Sequence, residues 1–455
     1  ENLEKFNLNY TFPCMYSGFV EVDIFTDSSL FYWFYRDEKL TDDAPLLLWL
    51  NGGPGASSQL GNLMELGPLK LIKNVDGETE VHSSTGQAWT DVANVLFLDQ
   101  PVGVGYSYGD LIYEGQEEVR VNTIKFLLGF YKKHPEMKDR DFYITGESYG
   151  GKYQPNMADA ILEYNKVNKD NEDLKIPLKG IIVGNGYVDP LIQRLDVKTL
   201  ALALGTILLD YIPQIDILEQ RCEEATYSEQ PDAQVVCGKV SSFVGDIDGG
   251  MDPYDARWPV SNSSGQEHHM EEYLNDPLVI AQLHAEASTK ETKYSVVNHT
   301  VYDNFYRDGM KSYVYLYQKL LEEDLQILLF VGNMDRKDGS YGVQEWLKTL
   351  TWEHLDDFYS SPVNTYYYNN DDNGEATIGG NYKQYKNLHY LTIYNAGHLV
   401  PSTQLALSRT MIKDMITEGK LLCHSDDSDA CDLSKVGCEY MKNCNGHGDC
   451  VNGKC

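Results

Sequence analysis

The chain has 455 residues, 42% of them hydrophobic, enough to bury a large core in one big domain or two. Its 37 Lys+Arg against 69 Asp+Glu give a formal charge of −32, which repels phosphate backbones and argues against nucleic-acid binding. No run approaches 18 consecutive apolar residues, so no membrane-spanning helix is expected. No metal-binding or cofactor motif is read, and neither a metal nor a cofactor is expected. The sequence opens at Glu1, with no Met or apolar leader ahead of it. The expectation is a processed terminus whose signal peptide has been removed.

The predicted elements begin with two alternating runs, Gly18–Thr26 and Leu30–Arg36, which read as an antiparallel hairpin at a sheet edge. Short apolar runs ending in Gly, Asn or Asp follow: Pro45–Leu50, Asn94–Leu98, Asp141–Thr145, Lys179–Val183, Gln326–Val331 and His389–Tyr394. Each is too short for a helix and rich in β-branched and aromatic residues. Apolarity without alternation suits strands covered on both faces. Helical patterns over Glu117–Tyr131 and Tyr153–Tyr164 lie between them, so an α/β architecture with a largely parallel sheet is predicted.

Between Gly186 and about Met310 the alternation fails, and the polar patch "SNSSGQEHH" lies inside that stretch. The division expected is 1–185 for the first part of the core, 186–310 for an inserted lid, 311–422 for the second part, and 423–455 for a small module. That last stretch holds Cys423, Cys431, Cys438, Cys444, Cys450 and Cys455, whereas Cys14, Cys222 and Cys237 are scattered. Crowded cysteines suit an oxidising compartment. The sequons at Asn9, Asn262 and Asn298 support the same reading as candidate glycosylation sites. A secreted or lysosomal/vacuolar protein is expected.

Two serines sit in similar settings, Ser107 in "GYSYG" and Ser148 in "GESYG". Ser148 follows the run "DFYIT" and precedes a helix whose one face is marked by Tyr153, Met157, Ala160, Ile161 and Tyr164. A sharp strand-to-helix turn lifts such a hydroxyl clear of the sheet, and the helix N-terminus offers N–H groups where negative charge develops. Ser107 comes after "PVGVG", a loop, and no helical stripe follows it. Ser148 is therefore the candidate nucleophile. A serine needs a base, and the base an orienting acid. Asp335 stands just past "QILLFV" and His398 just past "HYLTIY", in the chain order Ser, Asp, His that this kind of sheet uses.

These segments resemble the serine carboxypeptidases (peptidase family S10) over about residues 10–420. "LLLWLNGGPGASS", "ELGP", "NVLFLDQPVGVGYSY", "GESYGGKY", "GNGYVDP" and "NAGHLVP" occur in the family's order. "DFYITGESYGGKY" and "GNMDRKDG" lean towards the vitellogenic-like branch. The resemblance implies an α/β-hydrolase fold with a mixed, mostly parallel sheet, an inserted lid and a disulfide-rich C-terminal module. It implies a catalytic triad of Ser148, His398 and Asp335, with Gly53 and Tyr149 backbone N–H groups as the oxyanion hole. Asn51, the Gly52 N–H, Glu65 and Glu147 would grip the free C-terminal carboxylate of a peptide or protein, with Trp49 supporting Asn51. Leu60 and Leu399 would line the S1′ pocket and favour a hydrophobic leaving residue. Glu147 beside Glu65 is a carboxyl pair whose mutual repulsion raises one pKa, and an acidic optimum is expected from it. "DQPVGVGYSY", with Ser107, resembles a structural loop of the family.

The chain departs from the family at Ala56 and Val297, where most members carry a bridged pair of Cys, and at Asp338, where many have Cys. This second acid close to Asp335 either disturbs His398 or is neutralised by the counter-charges Arg336 and Lys337. The tail 438–455 resembles the first part of an EGF-like repeat, which implies Cys438–Cys450 and Cys444–Cys455. Either the repeat continues past Cys455 or it is truncated. Cys222–Cys237 is a plausible lid bridge; Cys14, Cys423 and Cys431 are left unassigned. Two competing readings remain on this scaffold. One is a weak or inactive homologue serving as a binding or assembly subunit, its protein partner held through the EGF-like tail. The other is an esterase or acyltransferase.

Overall fold

Continuous apolar runs become strands here because both of their faces are covered. The computed structural model describes residues 13–37, 39–74, 77–260, 264–290, 293–369 and 376–425. Its strands, in chain order, are β1 (Cys14–Asp23), β2 (Ser28–Arg36), β3 (Leu46–Leu50), β4 (Leu69–Lys73), β5 (Thr79–Ser83) and β6 (Asn94–Leu98). They continue with β7 (Phe142–Glu147), β8 (Leu178–Gly184), β9 (Gln326–Gly332), β10 (Asn364–Asn369), β11 (Ala376–Tyr385) and β12 (Leu388–Ile393). In β3, Leu46, Leu48 and Leu50 enter one hydrophobic core and Leu47 and Trp49 the other; β9 divides the same way, with Ile327, Leu329 and Val331 against Leu328 and Phe330. Each such buried side chain contributes roughly 1.5–3 kcal/mol, and alternate residues serve opposite layers.

Ten strands form one sheet in the order β1-β2-β6-β3-β7-β8-β9-β12-β11-β10. The six from β6 to β12 in that order are mutually parallel, and the pairs at each flank are antiparallel. The expected edge hairpin is β1–β2. Four strands were not legible as apolar runs. β4–β5 is a separate two-stranded ribbon, and β10 and β11, rich in Tyr, Asn and Gly, extend the sheet in antiparallel fashion with half-exposed faces.

Two long helices follow the predicted patterns: α1 (Gln116–Lys133) and α2 (Gly150–Val167). Between β8 and β9 no strand is present among the described residues, and the chain runs mostly through helices. Within that stretch Cys222 and Cys237 form a disulfide between helices Ile212–Tyr227 and Ala233–Ile247. A closed loop of this size contributes about 3 kcal/mol through the unfolded chain. Cys423 is also disulfide-bonded. The tail cysteines Cys431, Cys438, Cys444, Cys450 and Cys455, and the sequons at Asn9 and Asn262, lie outside the described residues.

Asn298 is the one sequon among the described residues: its Nδ2 donates to Gly103 O (2.7 Å), while Oδ1 caps the helix His299–Asn304 through the N–H groups of Thr300 and Val301. Among the described residues no helix is long and apolar enough to cross a membrane.

Candidate active site

The chain leaves β7 by a turn that only a close fit permits. Ser148 has φ 58°, in the left-handed region, which costs a non-glycine residue about 1–2 kcal/mol. The turn is pinned from both sides: Ser148 N–H donates to Gly184 O (3.0 Å), and Tyr187 N–H donates to Ser148 O (2.7 Å). A Cβ on Gly146 would stand 2.3 Å from Leu50 O, and one on Gly52 would stand 2.4 Å from Tyr149 N and 2.7 Å from Ser148 Cβ. Glycine at both places lets the loop after β3 lie directly on the loop after β7. The Tyr149 N–H thereby lies against Gly52, the residue before Gly53, and among the described residues neither the Gly53 nor the Tyr149 N–H donates a backbone hydrogen bond.

The loops after β9 and β12 supply the acid and the imidazole. His398 Nδ1 is 2.8 Å from Asp335 Oδ2, with both side chains buried. Asp335 also accepts from Asn185 Nδ2 (2.6 Å), Lys337 N–H (2.7 Å) and Asp338 N–H (3.3 Å). Asn185 in turn takes Gly332 N–H on its Oδ1 (3.2 Å). Since Asn185 follows Gly184, the acceptor for Ser148 N–H, one chain of contacts runs from the serine turn to the buried acid. Burial works against protonation of His398, but Asp335 and Asp338 outweigh it and hold its pKa above the usual imidazole value. His398 Nε2 is buried with no hydrogen-bond partner. Ser148 Oγ is thus not bonded to it in this conformer; such bonds are commonly long before substrate tightens them.

Beside the serine turn lies a carboxyl cluster. Asn51 Oδ1 accepts from Trp49 Nε1 (2.8 Å) and Gly61 N–H (2.9 Å), which fixes the amide orientation. Asn51 Nδ2 then donates to Glu147 Oε1 (2.8 Å) and Glu65 Oε1 (3.1 Å). Burial pushes Glu65 up to about 7, and burial together with the Glu65 charge pushes Glu147 well above the ordinary carboxyl range. The Oε2 atom of each is buried without a donor, so a proton retained by the pair is the group that answers both. Glu65 ends the short helical turn Gly61–Glu65, which touches the segment Val400–Thr403 just after His398. Half-buried Leu60 and Leu399 stand at the starts of those two pieces.

Asp338 is 3% exposed. Burial pushes it up to about 6 and Asp335 adds to this, against the pull of His398, Lys337 and Arg194. Lys337 fits the expectation of a counter-charge. Arg336 does not: its guanidinium pairs with Asp248 and donates to Met251 O (2.8 Å). The second cation is Arg194, far away in sequence, and nothing in the spacing pointed to it. Tyr254 was missed for the same reason. Its carbonyl accepts His398 N–H (2.7 Å), its ring meets the imidazole edge-on with centroids 5.0 Å apart, and its hydroxyl takes Lys337 Nζ (3.0 Å).

The two family positions that lack cysteine, Ala56 and Val297, face each other in an antiparallel bridge. Ser57 N–H donates to Val296 O (2.8 Å) and Asn298 N–H to Gly55 O (2.9 Å), holding the loop after β3 to the stretch between β8 and β9. Ser107 is structural. Its hydroxyl accepts Phe31 N–H (2.8 Å) and donates to Asp99 O (2.5 Å), leaving nothing for chemistry.

A parallel sheet in this order, a serine on a left-handed turn after β7 and an acid–imidazole pair after β9 and β12 define an α/β-hydrolase. Within that class the chain belongs to the serine carboxypeptidase family of hydrolases, whose family model matches residues 7–418. It is 32% identical to the pheromone-processing carboxypeptidase KEX1 of Candida glabrata, over 94% of this chain; it spans 60% of that relative's length. Against carboxypeptidase Y of Candida albicans the identity is 32% over 88% of this chain and 73% of the relative. The crystal structure of Kex1(delta)p, a prohormone-processing carboxypeptidase from Saccharomyces cerevisiae, superposes with a TM-score of 0.82 at 25% identity, covering 93% of this chain and 95% of that one.

Proposed function

We propose that the protein releases C-terminal residues, preferentially hydrophobic ones, from peptides at acidic pH through an acyl-enzyme on Ser148. Ser148 Oγ attacks the scissile carbonyl while the neutral form of His398, the minority at acidic pH because Asp335 and Asp338 raise its pKa, takes the proton on Nε2, and Asp335 holds the imidazole in the tautomer that leaves Nε2 open. The Gly53 and Tyr149 N–H groups receive the oxyanion. His398 then protonates the leaving amine, and the same groups, with water as nucleophile, hydrolyse the ester. The observation that carries the reading is the buried Asn51–Glu65–Glu147 cluster next to the serine turn. Protonated, that pair donates to a substrate carboxylate; it has no use in cleaving the middle of a chain.

The insertion 186–310 serves as the cap over this cleft, and its Tyr254 and Val296–Asn298 contacts support that role. The Cys222–Cys237 disulfide and disulfide-bonded Cys423 favour residence in the secretory pathway. The motifs around Ser148 and Asp335 lean towards the vitellogenic-like branch, and the Cys-rich tail is the candidate for an EGF-like contact with a protein partner.

Half-buried Leu60 and Leu399 set the leaving-residue preference, because a charged side chain there loses hydration with no partner in view. N-blocked dipeptides ending in Leu, in Lys and in Leu-amide test the reading together. Release from the Leu acid should exceed that from Lys about tenfold or more, a difference of about 1.4 kcal/mol, and the amide should be nearly inert. Equal cleavage of acid and amide would remove the carboxylate grip from the account, and a Lys preference would remove the apolar pocket.

A further inference from the structure

Lys152, four residues past Ser148, is fully buried and plays no part in the chemistry above. Its Nζ donates to three carbonyls, Asp308 O (2.9 Å), Gly309 O (2.9 Å) and Lys311 O (2.8 Å). An ammonium has three N–H donors, so every one is used. Those carbonyls belong to the stretch by which the chain returns from the insertion to the helix Val314–Glu322. The rings of Tyr187, Tyr149 and Tyr313 surround the ammonium at 4.8, 5.2 and 5.5 Å from their centroids, which recovers part of its lost hydration.

Asp308 completes the arrangement. It is fully buried, and its Oδ2 accepts from Tyr149 OH (2.7 Å) and Gln116 Nε2 (2.9 Å), while Oδ1 accepts from Tyr313 OH (2.6 Å). One carboxylate thereby joins the first residue of α1, the residue after Ser148 and the start of the next helix. Tyr149 is the shared element. Its backbone N–H lies against Gly52 beside the serine, its carbonyl accepts Lys152 N–H (2.9 Å), and its ring and hydroxyl are fixed by Lys152 and Asp308. Tyr317 OH adds a bond to Gly151 O (2.7 Å).

We propose that Lys152 and Asp308 are positioning residues: they fasten the end of the insertion to the serine turn and so aim the Tyr149 N–H at the developing oxyanion. The inference rests on the function proposed above, because it presumes that Tyr149 N–H is an oxyanion donor. The latch acts on the transition state and not on the grip of the substrate's chain end, which is made by Asn51 just after β3, by Glu65, and by Glu147 at the end of β7. Its loss is therefore expected in kcat rather than KM.

The test uses the full chain with Tyr149→Phe, Asp308→Asn and Lys152→Met. Competent sites are counted with a fluorophosphonate, and kcat per counted site and KM are measured on a blocked dipeptide and on an ester without a free carboxylate. Tyr149→Phe, which removes one oxygen and keeps the ring, should lower kcat per site about tenfold on both substrates. That is less than the ~10²–10³ lost with a whole oxyanion donor. KM for the dipeptide should stay within about twofold, as an interaction confined to the transition state requires. The double variant with Asp308→Asn should be no worse than the weaker single one. If Tyr149→Phe and Asp308→Asn keep wild-type kcat per site, whatever happens to their melting temperatures, the latch is packing alone and the proposal is wrong. If the wild type is neither labelled nor active on either substrate, the function itself fails and the latch falls with it.

Discussion

Alanine at position 148 is expected to lower kcat for a blocked dipeptide by ~10⁶-fold, the scale at which removal of a triad nucleophile is felt, while substrate still binds. The same change should abolish covalent labelling by a fluorophosphonate. Reaction with that probe needs a nucleophile, a base that accepts its proton and donors for the new anion, all in place together. His398, with Nε2 open and Nδ1 held by Asp335, is the base; His398→Ala should therefore cost nearly as much as Ser148→Ala, and the double variant scarcely more than either. Labelling also separates an enzyme from a catalytically silent homologue. Asp338 is the residue on which that alternative turns, and its neighbours Lys337 and Arg194 counter its charge. A wild-type protein that refuses the probe at every pH from 4 to 8 would establish the silent homologue.

The second large effect is on pH. Glu65 and Glu147 both titrate above the ordinary carboxyl value, Glu65 at about 7. Below that pH Glu65 is protonated and the pair donates to the carboxylate of the substrate; above it Glu65 is ionised and the substrate meets its negative charge. KM for peptides should therefore be flat from pH 4 to 6 and rise through pH 7, approaching tenfold per unit as one proton is lost. An ester without a free carboxylate should show a far smaller change. In Glu147→Gln, Glu65 can still ionise, so peptide KM should still rise through pH 7; with both residues replaced by Gln, whose N–H donors cannot titrate, peptide KM should be nearly level across the same range. The sign for stability is the same. A carboxyl whose folded pKa is raised favours the native state below its unfolded value and loses that contribution as pH rises through the folded one. The melting temperature should fall between pH 4.5 and 7, and fall less in Glu147→Gln. A wild-type KM that is constant from pH 4 to 8 contradicts the shared-proton account.

Much of this architecture was legible because the central strands advertise themselves. β3, β6, β7, β8 and β9 are covered on both faces, so their residues are apolar without alternation, and Ser148 and Asp335 each stand just after one of them, as His398 does after β12. β10 and β11 gave no such signal, since antiparallel strands at a sheet's flank can carry Tyr, Asn and Gly. What escaped was the tertiary bonding around the site. Asn185 lay in the quoted segment "GNGYVDP", yet its grip on Asp335 exists only once β8 and β9 are side by side. Tyr254, Arg194 and Asp308 come from a stretch without sheet periodicity, where spacing says nothing about which carbonyl or imidazole a side chain will reach. Arg336 shows the converse error: adjacency in the chain suggested a partner that the turn directs elsewhere.

The antiparallel bridge between Ala56 and Val297 has a practical outcome. Where most relatives are expected to carry a covalent staple, this seam is closed by hydrogen bonds of peptide groups and of the Tyr294 and Asn298 side chains, and a thiol such as dithiothreitol finds no bond there to cut. The mouth of the cleft should keep its outline in a reducing buffer, although the helical pair around Cys222 loses its cross-link.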